Sequence, residues 1–261
     1  MNNEKMESPW EAKQLSVNYD LSSVLCNISF ALPQSGLVVA ILGPNGAGKS
    51  TLIKASLSLI KPNFGSVSFF GKPFSKIREK IAYIPQKNHI DWDFPITVLD
   101  LVLMGSYGKL GLFKRISSEQ KELALTCLEA VGLSKYVYRQ IGQLSGGQQQ
   151  RLFLARALMQ RAEIFLMDEP FAGVDKASFE VIMKTLHDLK QRKKTVIVVY
   201  HHLEDVLEFF DYVLFLNKTI VAHGFTKDIF NQEIIRLTYG RDVSMLDHAM
   251  RLARNKFEGT I

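Results

Sequence analysis

The sequence predicts an α/β fold built on a parallel sheet, and three observations carry that expectation. An apolar run at 37–42 passes through a glycine-rich turn into a helical pattern at 52–60. Two more apolar runs, Ile164–Met167 and Thr195–Val199, are separated by a stretch of helical length, Lys176–Gln191. Strand alternating with helix favours parallel pairing, because each crossover returns the chain to the same end of the sheet. The third observation is a β-rich opening, with strand-like runs at 15–19 and 25–32 and the turn residues Gln34-Ser35-Gly36 before the next run.

Element by element, Lys61-Pro62-Asn63-Phe64-Gly65 reads as a turn after the first helix, followed by short strands at 66–70 and Ile81–Ile84. From 97 to 138 the pattern becomes helical, with Val98, Leu101 and Val102 and then Leu123, Leu125, Leu128 and Val131 at mixed spacings of three and four. We read this as a helical subdomain at about 97–160, inserted in a domain spanning 10–235. The stretch from 225 to 261 reads as mostly helical and polar, with 236–261 as a C-terminal helical tail.

At 261 residues the chain fits one nucleotide-binding unit. Its net charge of +6 and pI near 9.2 come without a basic run interleaved with aromatics, so a nucleic-acid partner is not expected. No apolar run approaches the roughly 18 residues of a membrane span, and the polar start Met1-Asn2-Asn3-Glu4-Lys5 lacks a secretory core. The expectation is a soluble chain in the cytosol, with Cys26 and Cys127 as reduced thiols far apart in sequence.

The chemistry begins at Gly43-Pro44-Asn45-Gly46-Ala47-Gly48-Lys49-Ser50-Thr51. Glycines let backbone N–H groups turn inward on phosphates, and the following helix adds its positive end. The loop should bind ATP or GTP with magnesium; Lys49 would reach the β- and γ-phosphates, and the Ser50 hydroxyl would ligate the metal. Ile164–Met167 ends in Asp168 and Glu169, which places two carboxylates at the C-terminal edge of a strand, where ligands bind in open parallel sheets. Asp168 would hold magnesium, and Glu169 would polarise the water that attacks the γ-phosphate. Arg151, Arg156 and Arg161 stand five apart, which spreads them around a helix, so a structural role is expected. The adjacent His201 and His202 point apart and have no ligand-type neighbour at metal spacing.

With Leu144-Ser145-Gly146-Gly147-Gln148 opening a helical run, the chain resembles the ATP-binding subunits of ATP-binding-cassette (ABC) transporters over about 15–230. That resemblance implies the family fold: a P-loop ATPase core with a parallel sheet, an antiparallel β subdomain and a helical subdomain. It implies that Ser145, Gly146, Gly147 and Gln148 complete the ATP site of an opposing subunit, giving a head-to-tail homodimer with two ATP molecules between the copies. Tyr83-Ile84-Pro85-Gln86 matches the loop whose glutamine touches magnesium or the attacking water. His201 falls where the family has its γ-phosphate-sensing histidine, although Tyr200 replaces a small hydroxyl residue and His202 an aspartate. Tyr19 matches the aromatic that stacks on adenine, and Asp175, in Ala172-Gly173-Val174-Asp175, the aspartate that crosses the dimer interface.

The run from Asp91 through Gly105, with the segment from Asp168 to Asp175, is similar to the branch serving manganese, zinc or iron import in bacteria. That likeness implies a membrane permease, an extracytoplasmic substrate-binding protein that holds the metal, and a peripheral place on the cytoplasmic face of the cell membrane. The permease would dock on the stretch from Gln86 to about Tyr107. Two alternatives share the motifs: an iron-chelate, vitamin or other ABC transporter, and a soluble cassette ATPase acting on ribosomes or DNA. A single cassette with a compact insert argues against the second.

Overall fold

The computed structural model describes residues 7–19, 22–86, 91–110 and 115–240. In chain order, β1 (Glu11–Tyr19), β2 (Ser22–Ala31) and β3 (Val38–Leu42) precede helix α1 (Lys49–Ser56). Strand β4 (Phe64–Ser68), the one-turn helix α2 (Phe74–Ile77) and β5 (Ile81–Ile84) follow. Helices α3 (Val98–Leu103), α4 (Tyr107–Leu110), α5 (Ser118–Ala130) and α6 (Gly146–Met159) lead to β6 (Ile164–Met167), α7 (Lys176–Gln191) and β7 (Thr195–Val199). The one-turn helix α8 (Val206–Phe209), strands β8 (Tyr212–Asn217) and β9 (Thr219–Phe225), and helices α9 (Thr226–Ile229) and α10 (Gln232–Tyr239) come last. The chain divides into two compact units, one running up to Ile77 and resuming at Ile197, the other spanning Arg78–Val196.

In the first unit β1 pairs antiparallel with β2 on one side and β4 on the other. Trp10, fully buried, anchors this layer: its ring meets Phe30 edge-on at 4.5 Å and its indole N–H donates to Ser56 Oγ at 3.2 Å. A buried indole needs such an acceptor, and Ser56 ties the β layer to α1. Strand β3 lies between β7 and β8, parallel to β8, with β9 antiparallel on the outer side of β8. Every residue of β3 is buried, and every residue of β8 except Asn217. A continuous apolar run is what a strand covered on both faces requires. The sequence reading contains no β8 or β9 and carries helix from 225 onward, whereas β9 runs through Phe225 before the chain turns helical. As an outer strand β9 is only partly covered, and its periodicity is correspondingly faint.

In the second unit β5 and β6 are parallel, Ile81 opposite Ile164 and Ile84 opposite Met167, as the apolar runs predict. Helix α6 packs against both α3 and α5. Three helices here start with the same reciprocal cap: Thr97 with Asp100, Ser117 with Gln120, and Ser145 with Gln148. Each pair satisfies two backbone N–H groups that an open helix end leaves without acceptors. Among the described residues the stretch 97–138 holds α3, α4 and α5, as its helical pattern predicts; residues 111–114 lie outside the described part. The arginines of α6 hold structure: Arg151 Nη1 donates to the Val131 carbonyl at 2.9 Å, and Arg156 lies over the Phe153 ring at 5.8 Å. Burial lowers the affinity of Arg156 for its proton.

Candidate functional site

The first unit carries the phosphate loop, Tyr19 and His201. Gly43 is buried, Pro44 half-buried, Asn45 and Gly46 are exposed, and Ala47, Gly48 and Lys49 turn back into the interior. Gly48 caps α1 in the left-handed region at φ 95°, and a Cβ there would stand 2.9 Å from the Val24 carbonyl oxygen and press on Leu25. Only glycine meets both demands. As a glycine, the cap of α1 makes no side-chain hydrogen bond to the first turn. Lys49 is 6% exposed, and its ammonium donates to the carbonyls of Gly43 at 2.7 Å and Pro44 at 2.8 Å. A buried cation held on the carbonyls of its own loop suits an anionic ligand. Ser50 and Thr51 are half-buried at the start of α1. Tyr19, at the end of β1, exposes 46% of its surface.

His201 is exposed one residue beyond the fully packed Tyr200. The Tyr200 N–H donates to the Ile41 carbonyl at 3.1 Å, which fixes the end of β7 against β3. Its phenol reaches over the loop to donate to Asp205 Oδ2 at 3.1 Å, and its ring packs on Phe210 at 4.8 Å. Burial first, and the Asp205 carboxylate second, push that phenol's pKa far up, so the hydroxyl stays a donor. His202 Nδ1 lies 3.6 Å from Glu204 Oε1. Tyr200 is thus a clasp across the loop bearing His201. Tyr200→Phe is expected to lower stability by about 1 kcal/mol, since the Asp205 carboxylate loses a donor. Thermal unfolding checks it, and an unchanged midpoint would remove the clasp.

The second unit carries the acidic pair. Asp168 is 1% exposed, and its N–H donates to the Ile84 carbonyl at 2.9 Å, prolonging the β5–β6 pairing by one residue. Burial, and then the nearby Asp168 carboxylate, push the Tyr83 phenol up to about 12. Glu169 adopts φ 53°, a left-handed conformation that costs a side-chain-bearing residue about 1 kcal/mol or more. Its carbonyl accepts the Ala172 N–H at 3.2 Å, so a tight turn holds the strain. Gln86 Nε2 donates to Glu169 Oε2 at 2.9 Å. Two residues 83 positions apart in sequence are brought into one contact, and both were singled out from motifs alone.

The same unit presents the Ser145–Gln148 segment as the start of α6. Gln148 Oε1 accepts the Ser145 N–H at 2.9 Å, while Ser145 Oγ accepts the Gln148 N–H at 3.4 Å. Gly147 is buried beside Asp175, where a Cβ would meet Asp175 Oδ2 at 2.9 Å and strike Ser178 Oγ. Asp175 caps α7, accepting the Ser178 N–H at 2.8 Å and the Ser178 hydroxyl at 3.2 Å. The backbone bond from Ser178 holds its carboxyl below the usual carboxylate range. The signature glycine and the Asp175 turn are therefore packed face to face within one chain.

Comparison with known proteins is consistent with this arrangement. The family model described as ABC transporter matches residues 25–172. A protein of Chlamydia trachomatis named "Probable metal transport system ATP-binding protein" is 50% identical over 251 residues, covering 96% of each chain. The zinc transport system ATP-binding protein TroB of Treponema pallidum is 47% identical, covering 90% of this chain and 88% of its own. The manganese transport system ATP-binding protein MntB of Bacillus subtilis is 48% identical, over 91% of this chain and 95% of its own. Among solved structures, a dimeric ATP-binding cassette in a post-hydrolysis state with ADP and phosphate superposes with a TM-score of 0.71. It is 29% identical and covers 83% of this chain and 98% of that one. A family match over more than half the length, with relatives at about half identity over nearly all of it, fixes the assignment: the chain belongs to the ABC transporter family, as its ATP-hydrolysing subunit.

Proposed function

We propose that this ATPase energises uptake of a transition metal, manganese, zinc or iron, through a membrane permease, working as a head-to-tail pair of copies. Relatives named for manganese and for zinc transport, each covering about nine-tenths of the chain, support the cargo class. The dimeric cassette supports the pairing. The observation that carries the hydrolytic role is the Gln86–Glu169 bond beside the buried Asp168, since a carboxylate held at a strand end is placed for proton transfer.

In this reading the nucleotide-binding domain spans 10–235 with the helical subdomain at about 97–160, and 236–261 is a C-terminal tail whose residues 241–261 lie outside the described part. Residues 43–51 hold the phosphates, with Lys49 supplying charge and Tyr19 stacking on adenine. The residues proposed for magnesium are Ser50 of the first unit and Gln86 and Asp168 of the second, each supplying an oxygen donor of the kind the ion takes, and the ion would neutralise phosphate charge. Glu169 takes the proton of the attacking water and His201 senses the γ-phosphate. Ser145, Gly146, Gly147 and Gln148, with Asp175, serve the nucleotide held by the opposing copy.

Phe94, Met104 and Tyr107 expose 55%, 41% and 50% of their surface on the second unit, which supports permease docking on the stretch from Gln86 to about Tyr107. Residues 87–90 of that stretch lie outside the described part. Among the described residues no helix is long and apolar enough to cross a membrane, which suits a peripheral subunit on the cytoplasmic face. The substrate-binding protein would act indirectly, through the permease. Extraction of the tagged chain from its native membranes in mild detergent with ATP is expected to bring down a polytopic permease. Recovery with ribosomes or DNA-repair proteins instead would overturn the transport role.

A further inference from the structure

The loop that carries His201 is tied at both ends by one residue. Strand β7 ends at Val199, and Tyr200, His201 and His202 have no regular structure before the tight turn Leu203–Asp205. The Tyr200 backbone N–H donates to the Ile41 carbonyl at 3.1 Å, on β3, the strand that runs into the phosphate loop at Gly43. The Tyr200 phenol donates forward to Asp205 Oδ2 at 3.1 Å, where the turn passes into α8. Its ring is 1% exposed and packs on the buried Phe210.

His201 is exposed between these two fixed points. A side chain whose rotamer is locked by packing gives its hydrogen bond a set direction, so the buried ring holds the phenol oxygen on Asp205. The second histidine belongs to the clasp: its ring meets that of Tyr200 edge-on at 5.7 Å, and its Nδ1 lies 3.6 Å from Glu204 Oε1. Tying position 200 to position 205 narrows the conformations open to the four residues between them. A group held near its working geometry beforehand loses less freedom on reaching the transition state.

We propose that Tyr200 is a positioning residue for ATP hydrolysis, its bond to Asp205 holding the loop of His201 in the geometry the reaction uses. The inference rests on reading His201 as the group that senses the γ-phosphate. The effect falls on rate rather than on nucleotide affinity. The backbone bond to Ile41 does not depend on the phenol, so β3 and the phosphate loop after it keep their support when the hydroxyl is removed. What is lost is the forward tie to Asp205, and with it the restraint on His201.

The test is steady-state hydrolysis by the full chain and by Tyr200→Phe, Asp205→Ala, Asp205→Asn, His201→Ala and the Tyr200→Phe, His201→Ala pair, each assayed well below its unfolding midpoint. Tyr200→Phe keeps the ring and is expected to lower kcat about threefold to tenfold, the worth of one hydrogen bond, with KM for ATP unchanged. Asp205→Ala should match it, and Asp205→Asn, which keeps an oxygen that accepts the phenol, should recover most of the rate. In the His201→Ala background the loss of the phenol should cost nothing more, because the clasp acts through that histidine. An unchanged kcat in Tyr200→Phe overturns the proposal whatever the midpoint does, as does an equal loss with and without His201, which would make Tyr200 a packing residue. Full activity in the single variant His201→Ala would instead remove the reading of His201 itself, and the clasp's role in hydrolysis with it.

Discussion

Glu169→Gln is expected to reduce steady-state ATP hydrolysis by a factor of roughly 10² or more while leaving ATP bound, because general-base contributions are of that size. The exchange is nearly isosteric and keeps an oxygen that accepts the Gln86 amide now donating at 2.9 Å. It leaves the turn closed by Ala172 and the left-handed backbone unchanged, since the strain lies in φ and not in the carboxylate. What it removes is the capacity to take a proton. Binding and turnover should therefore separate, with nucleotide affinity retained and phosphate release lost, as measured by analogue titration and a phosphate assay. Rapid turnover by the variant would take Glu169 out of the base role and pass it to another group.

The parts of the fold that were legible in sequence are those where burial is complete on both faces. Ile81–Ile84, Ile164–Met167 and Thr195–Val199 are wholly apolar or nearly so, and the structure ends each strand at the residues the pattern marks. Lys176–Gln191 was equally plain, because one face is apolar over four turns and Asp175 caps the start. The strands of the opening are longer than their apolar cores: β1 begins at Glu11 rather than near 15, since pairing with β2 and β4 extends through polar residues. Backbone hydrogen bonding, not periodicity, sets such an end.

What remained hidden is long-range and local at once. The motif residues of the candidate site were each visible as a letter at a spacing, but their partners were not. Nothing in sequence places Lys49 on the carbonyls of Gly43 and Pro44, joins Gln86 to Glu169, or sends the Tyr200 phenol to Asp205. Those bonds depend on which rotamer packing permits, and no periodic signal encodes them. The left-handed backbone at Glu169 was also invisible, because a non-glycine residue there violates local preference and is held by its surroundings. Strand β8 carries a clear signal, a run of five buried apolar positions beginning at Tyr212. Its neighbour β9 dissolves into half-exposed positions, so the β8–β9 hairpin carries no comparable periodic signal.

Lys49→Ala is expected to weaken ATP binding by more than tenfold, and the structure makes the origin of that loss separable from misfolding. The ammonium is almost fully buried with two carbonyl partners on its own loop, so it is held in place before any phosphate arrives. Preorganised charge of this kind acts on an anion with little reorganisation, in surroundings that screen it weakly. The substitution also leaves the Gly43 and Pro44 carbonyls without that donor, which costs stability of the order of 1–3 kcal/mol. It simultaneously relieves the burial of a cation, which offsets part of that cost. The unfolding midpoint should therefore move only slightly while affinity collapses. Titration with ATP and ADP, alongside thermal unfolding, distinguishes the cases. Affinity lost at a nearly constant midpoint assigns the phosphate role to Lys49, whereas unchanged binding of both nucleotides would mean that the backbone amides of the loop and α1 hold the phosphates without it.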